Sequence, residues 1–173
     1  MTEQPAADPT TTHSRPRKSG LSRRGGLLAA AFPAALLLLT RRGRADSDNL
    51  EDSKPFAEHR LALQLSDEDP AKHRLVINVA NNMVKVYTPD LIAIEVVTFG
   101  PGVALLTADS PNRAEVDSLM AQGVRFDVCM NTVHSLERRS GQKLALNPNA
   151  RPVVAGAAQL LALAERKFTV LRP

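Results

Sequence analysis

The sequence predicts one α/β domain, a three-layer α/β/α arrangement with a mostly parallel five-stranded sheet. Three observations carry this. Apolar residues alternate at 61, 63 and 65 with the period of a strand, and they recur from Leu75 to Val86 at mainly three- and four-residue steps, the period of a helix. The run from Leu91 to Phe99 is β-branched and nearly unbroken, as in a strand covered on both faces. The same alternation continues along the chain, and strands separated by helices imply right-handed crossovers and parallel pairing. A chain of 173 residues accommodates one such domain with appendages.

Residues 1–21 are rich in Thr, Pro, Ser, Ala and Arg with no apolar period, a composition that cannot bury a core. Ser22-Arg23-Arg24-Gly25-Gly26-Leu27-Leu28 then opens an uncharged stretch through Leu39, a basic region followed by an apolar one of signal-peptide length. The block resembles a twin-arginine translocation signal at the serine, both arginines and Leu27, with Gly26 where a large apolar residue is usual. Arg41, Arg42 and Arg44 follow it, a charge placement that handicaps the general secretory route. Gly43-Arg44-Ala45 predicts cleavage after Ala45, making residues 1–45 a signal peptide and leaving no stable membrane span. An uncleaved anchor is the alternative, disfavoured by Pro33 within the run. The protein is therefore expected to be exported, to a periplasm or its equivalent.

Residues 46–58 are acidic and polar and read as a linker or an irregular arm, leaving 59–173 as the domain. His59 to Ser66 is the first strand. Asp67-Glu68-Asp69-Pro70 supplies an acidic helix start, and the helix runs to about Tyr87 before Thr88-Pro89-Asp90 breaks it. Leu91 to Phe99 is the second strand, followed by Gly100-Pro101-Gly102 as a tight turn. Glu115 to Gln122 reads as a short helix closed by Gly123, and Val124 to Met130 as the third strand. Thr132 to Ser140 is polar and helical, Val153-Val154 sits in a short apolar run, Ala157 to Lys167 is an Ala/Leu-rich helix, and Phe168 to Leu171 is the last strand.

The net charge of +4 would suggest an acidic partner, but its distribution removes the suggestion. Up to Ala45 eight basic residues stand against Glu3 and Asp8, giving +6; the other 14 basic and 16 acidic residues give −2. A slightly acidic domain with no Trp and one Tyr argues against nucleic acid as a partner. One cysteine, Cys129, forms no intrachain disulfide and no Cys-cluster metal site, and His13, His59, His73 and His134 show no ligand spacing, so no metal or cofactor is expected.

The strings Thr98-Phe99-Gly100-Pro101-Gly102-Val103-Ala104-Leu105-Leu106 and Gly123-Val124-Arg125-Phe126-Asp127-Val128-Cys129-Met130-Asn131-Thr132, with the ending Phe168 to Pro173, are similar to the DsrE/DsrF-like family. The resemblance covers nearly all of residues 59–173 in one register. It implies a small self-associating α/β fold whose relatives relay sulfur as a cysteine persulfide, with Cys129 at the position of the family's cysteine. Those relays with known partners are cytoplasmic, and many exported relatives have no known activity.

Sulfur transfer needs an accessible thiol with a lowered pKa. At the carboxyl end of a parallel strand, Cys129 would face the crevice where the next segment's amides stabilise an anion. Asn131 and Thr132 are candidates to hydrogen-bond the thiolate, with helix capping the ordinary job for Thr132. His134, Arg138 and Arg139 could add positive charge, and a hydrolase pairing Cys129 with His134 is a weaker expectation. Gly100 and Gly102 could present amides to an anionic ligand. Against all of these stands a buried, inert cysteine in a self-associating domain that binds a ligand or partner. A third expectation is an accessory of a redox complex. The sequence names neither the sulfur donor nor the acceptor.

Overall fold

The computed structural model describes residues 50–173; the expected signal peptide and residues 46–49 lie outside them. The five strands are β1 (His59–Leu65), β2 (Ile92–Thr98), β3 (Arg125–Cys129), β4 (Arg151–Val153) and β5 (Thr169–Leu171). They form one sheet in the order β4-β3-β2-β1-β5, with every pairing parallel. The helices are α1 (Leu50–Ser53), α2 (Pro70–Leu91), α3 (Arg113–Ala121), α4 (Met130–Ser140) and α5 (Gly156–Glu165), with a 3-10 helix over Gly100–Leu106. No helix among the described residues is long and apolar enough to cross a membrane.

The chain steps in one direction from β1 to β4 and then returns across the sheet to β5. Right-handed crossovers therefore put α2, α3 and α4 on one face and α5 on the other. The buried clusters agree. Leu61, Leu63, Leu65, Ile94 and Val96 pack with Val76, Ile77, Ala80 and Val84 of α2, Val116 and Leu119 of α3, and Val133 of α4. The opposite face packs Ala62, Ala93 and Val97 against Leu163 of α5, Phe168 and Leu50.

Local chemistry sets the boundaries. Asp69 caps α2 by accepting from the Ala71 amide at 2.8 Å, and Pro70 occupies the first turn, where its missing N–H costs nothing. The expected break falls at Thr88, at φ 64°, ψ 155°, because the residue before Pro89 is driven out of the helical region. Gly141 ends α4 in the left-handed conformation at φ 71°.

Two expectations are corrected. The stretch 46–58 is not a plain linker over its described part. Leu50 is 3% exposed and packs against the sheet, Ser53 Oγ caps its carbonyl at 2.7 Å, and Lys54 Nζ donates to the carbonyls of Pro89 and Ile92 at 2.7 and 3.1 Å. Leu50, Phe56 and Ala57 follow no period in an acidic stretch, so the docking left no pattern to read. Gly100-Pro101-Gly102 is likewise the first turn of a 3-10 helix rather than a tight turn. Val103, Leu105 and Leu106 continue it because all three are buried in the core.

Candidate active site around Cys129

The return of the chain between β4 and β5 creates a switch point. β3 leaves into α4 on one face, while its neighbour β4 leaves into α5 on the other, so the two helices start side by side beyond the carboxyl ends of these strands. Cys129 is the last residue of β3, paired in register with Val153, and it immediately precedes α4. Its side chain therefore lies between the N-termini of two helices.

Burial pushes the Cys129 thiol up, yet the net effect holds it below the ordinary cysteine value. The opposing causes are hydrogen bonds from the Thr132 hydroxyl and from the amides of Gly156, Thr132 and Asn131. The first turn of a helix carries N–H groups without intrahelical acceptors and a partial positive charge, and here α4 supplies two first-turn amides and α5 a third. The residue is 4% exposed, so these dipoles act with little solvent screening, but the accessible thiol that sulfur transfer calls for is not found: Cys129 is buried between the sheet and the two helix starts.

Thr132 does not cap α4, since Cys129 holds the cap position and Thr132 stands one turn inside. Its hydroxyl accepts from the Gly100 amide at 3.0 Å, which directs its own hydrogen to the thiol. Asn131 uses its backbone: its amide also reaches the Val154 carbonyl at 3.2 Å, joining α4 to the loop that starts α5. Gly100, at φ 55°, serves by orienting Thr132 rather than by binding a ligand directly. The Gly102 amide is consumed by the Phe99 carbonyl at 3.2 Å, and an added Cβ would lie 2.4 Å from the Leu65 carbonyl oxygen. Gly102 is thus a packing requirement beside the site, not a donor in it.

His134 is not brought to the thiol. It is exposed on α4, where its charge acts on Glu137, and neither it nor Arg138 nor Arg139 is among the groups that shift Cys129. A Cys–His pair of the hydrolase kind is absent from this geometry.

Sequence reasoning missed Gly156, which starts α5 and lends its amide to the thiol. A Cβ there would sit 2.8 Å from Phe99 Cδ1, so glycine lets the helix seat closely against Phe99. It also missed a buried ionic group on the same face of the sheet. Glu95 of β2 and Asp127 of β3 are both fully buried. Arg151 Nη2 donates to Glu95 Oε1 at 2.6 Å, and its Nε and Nη2 grip Asp127 at 2.7 and 2.9 Å. Burial first, then a hydrogen bond and the charge of Asp127, push Glu95 up to about 7 against the pull of Arg151 and Gln159. A cavity of 640 Å³ lined by Lys54, Arg125 and Arg151 lies near the start of β3, and Cys129 does not line it.

No family model matches the chain, and no curated protein matches it. A solved structure of a protein of unknown function, MTH1491 from Methanobacterium thermoautotrophicum, is similar to it with a TM-score of 0.60 and 27% identity. The similarity covers 67% of this chain and 100% of that one.

Proposed function

We propose that this chain is an exported sulfur carrier of the DsrE/DsrF-like type, in which Cys129 takes up sulfane sulfur as a persulfide. The observation that carries the reading is the place of Cys129, paired in register with Val153 ahead of α5 and standing at the cap position of α4, where helix-start amides and the Thr132 hydroxyl hold its pKa down although it is buried. A lowered pKa raises the thiolate fraction, and the thiolate is the nucleophile in sulfur exchange. The similarity of residues 98–106 and 123–132 to the DsrE/DsrF-like pattern supports the same reading.

The step is an exchange without net oxidation. Cys129 Sγ attacks a sulfane sulfur of an inorganic polysulfide or a donor persulfide and forms a new S–S bond. The donor's S–S bond breaks, and its departing sulfur leaves with the electron pair as a thiolate. An acceptor thiolate then attacks the outer sulfur and returns Cys129 as thiolate. Amides that stabilise that thiolate also make it a better leaving group in the second half.

Intact mass of residues 46–173 after incubation with polysulfide, beside Cys129→Ala, tests the reading. Sulfur-atom increments that need Cys129 and disappear with reductant are expected. A second reading rests on the 4% exposure of Cys129, which also suits an inert core thiol in a self-associating binding domain. Under that reading the native protein gains no sulfur and resists alkylation.

A further inference from the structure

We propose that Glu95 is a positioning residue for Cys129: its buried carboxyl holds Gln159, and through Gln159 it keeps the N-terminus of α5 seated on the thiol. The proposal rests on Cys129 being the reactive group, but its test does not depend on sulfur transfer.

The path is short. Val153 pairs in register with Cys129, and Gly156, three residues on, starts α5, so that helix begins beside the thiol and its first amide helps hold the thiol's pKa down. Gln159 lies three residues along the same helix, so it shares the face that Gly156 presents to the sheet. Its Nε2 donates to Glu95 Oε1, the oxygen that also accepts from Arg151 Nη2. Glu95 is the one charged residue in the otherwise apolar or small run of β2, and it stands on the face turned to α5, in register with Arg125. A buried carboxyl costs several kcal/mol of desolvation unless its partners are well placed, and filling the site with apolar residues is often neutral for stability. What an apolar residue cannot supply is a fixed acceptor for the first turn of α5.

Charged groups surround that acceptor. Arg125 Nη1 stands 3.8 Å from Glu95 Oε2, Asp127 shares Arg151 with it, and Arg166, just beyond the end of α5, acts on Arg125. Arg60 of β1 occupies the same face of the sheet. Glu95 is not among the groups that act on Cys129 directly, so its effect runs through the helix.

The sign of the effect separates positioning from plain electrostatics. Removing a nearby negative charge would lower a thiol's pKa, whereas unseating α5 removes a donor from the thiolate and raises it. The measurement is the thiolate ultraviolet absorbance of the full chain against pH, each variant being subtracted with its Cys129→Ala counterpart. Gln159→Ala, which leaves the Glu95 ion pairs in place, is expected to raise the Cys129 pKa by about one unit, a tenfold loss of thiolate below it. Glu95→Ala is expected to do the same, and Glu95→Gln, which keeps a carbonyl acceptor for Gln159, is expected to restore most of the shift. An unchanged Cys129 pKa in folded Gln159→Ala, or a lowered one in either Glu95 variant, would overturn the proposal. Because absorbance reads ionisation alone, a shifted pKa in a protein that gains no polysulfide sulfur would reject the carrier reading and keep this one.

Discussion

Thr132→Val isolates the most exacting contact at the site. Valine has nearly the shape of threonine, so packing is kept while two hydrogen bonds go: the one given to the Cys129 thiol and the one accepted from the Gly100 amide at 3.0 Å. A hydrogen bond to a charged group contributes about 1.5–3 kcal/mol, against about 1 kcal/mol for a neutral one. The thiolate thus loses roughly 1 kcal/mol more than the thiol, and the Cys129 pKa should rise by about one unit. The orphaned Gly100 amide adds about 1 kcal/mol or more of destabilisation at every pH.

The pH dependence has a definite sign. The folded Cys129 pKa is depressed, so its contribution to stability is present above the unfolded value of 9.0 and lost as pH falls through the folded one. The stability gap between wild type and Thr132→Val should therefore widen as pH rises through that window. Denaturant unfolding at a series of pH values, repeated in a Cys129→Ala background where the widening must vanish, is the assay. A gap that stays constant with pH, with the thiolate midpoint unmoved, would refute the claim that Thr132 acts on the thiol.

Two further perturbations probe the frame around the site. Gly102→Ala places a Cβ 2.4 Å from the Leu65 oxygen and 2.8 Å from its carbonyl carbon, both backbone atoms, so a loss of about 2–3 kcal/mol is expected by thermal or denaturant unfolding. Leu50→Ala removes a buried anchor from the α5 side of the sheet. It should lower stability by about 2 kcal/mol or more, whereas a linker residue would change it by less than about 0.5 kcal/mol.

Periodicity made the sheet legible because strands and long helices repeat their chemistry. The alternation at 61, 63 and 65 gave β1, the β-branched run gave β2, and Thr88-Pro89 marked the break in α2. Cys129 was legible as a position, since it ends a strand and starts a helix. Its environment was not. Gly156 arrives from a helix packed on the other face of the sheet, and Glu95, Asp127, Arg151 and Gln159 come from four separate elements, so no local spacing links them. Thr132 illustrates the limit within a single helix. A threonine near a helix start suggests a cap, and only the placement of Gly100 reveals that the hydroxyl is turned to the thiol instead.

The two rims of the sheet bear on how copies of this chain could meet. β4 is three residues long with Pro152 at its centre, and proline has no N–H to offer an incoming strand. β5, at the opposite rim, pairs with β1 over only three residues, all of them exposed. Short or proline-bearing rims resist strand addition, the route by which sheets run on from one molecule into the next. Self-association of this domain would therefore fall to its side-chain surfaces, and the outward Ala157, Ala158, Leu161 and Ala164 of α5 present small apolar groups on the helix that also seats Cys129. A partner resting there would bear on the thiol's hydrogen bonds without touching the sulfur.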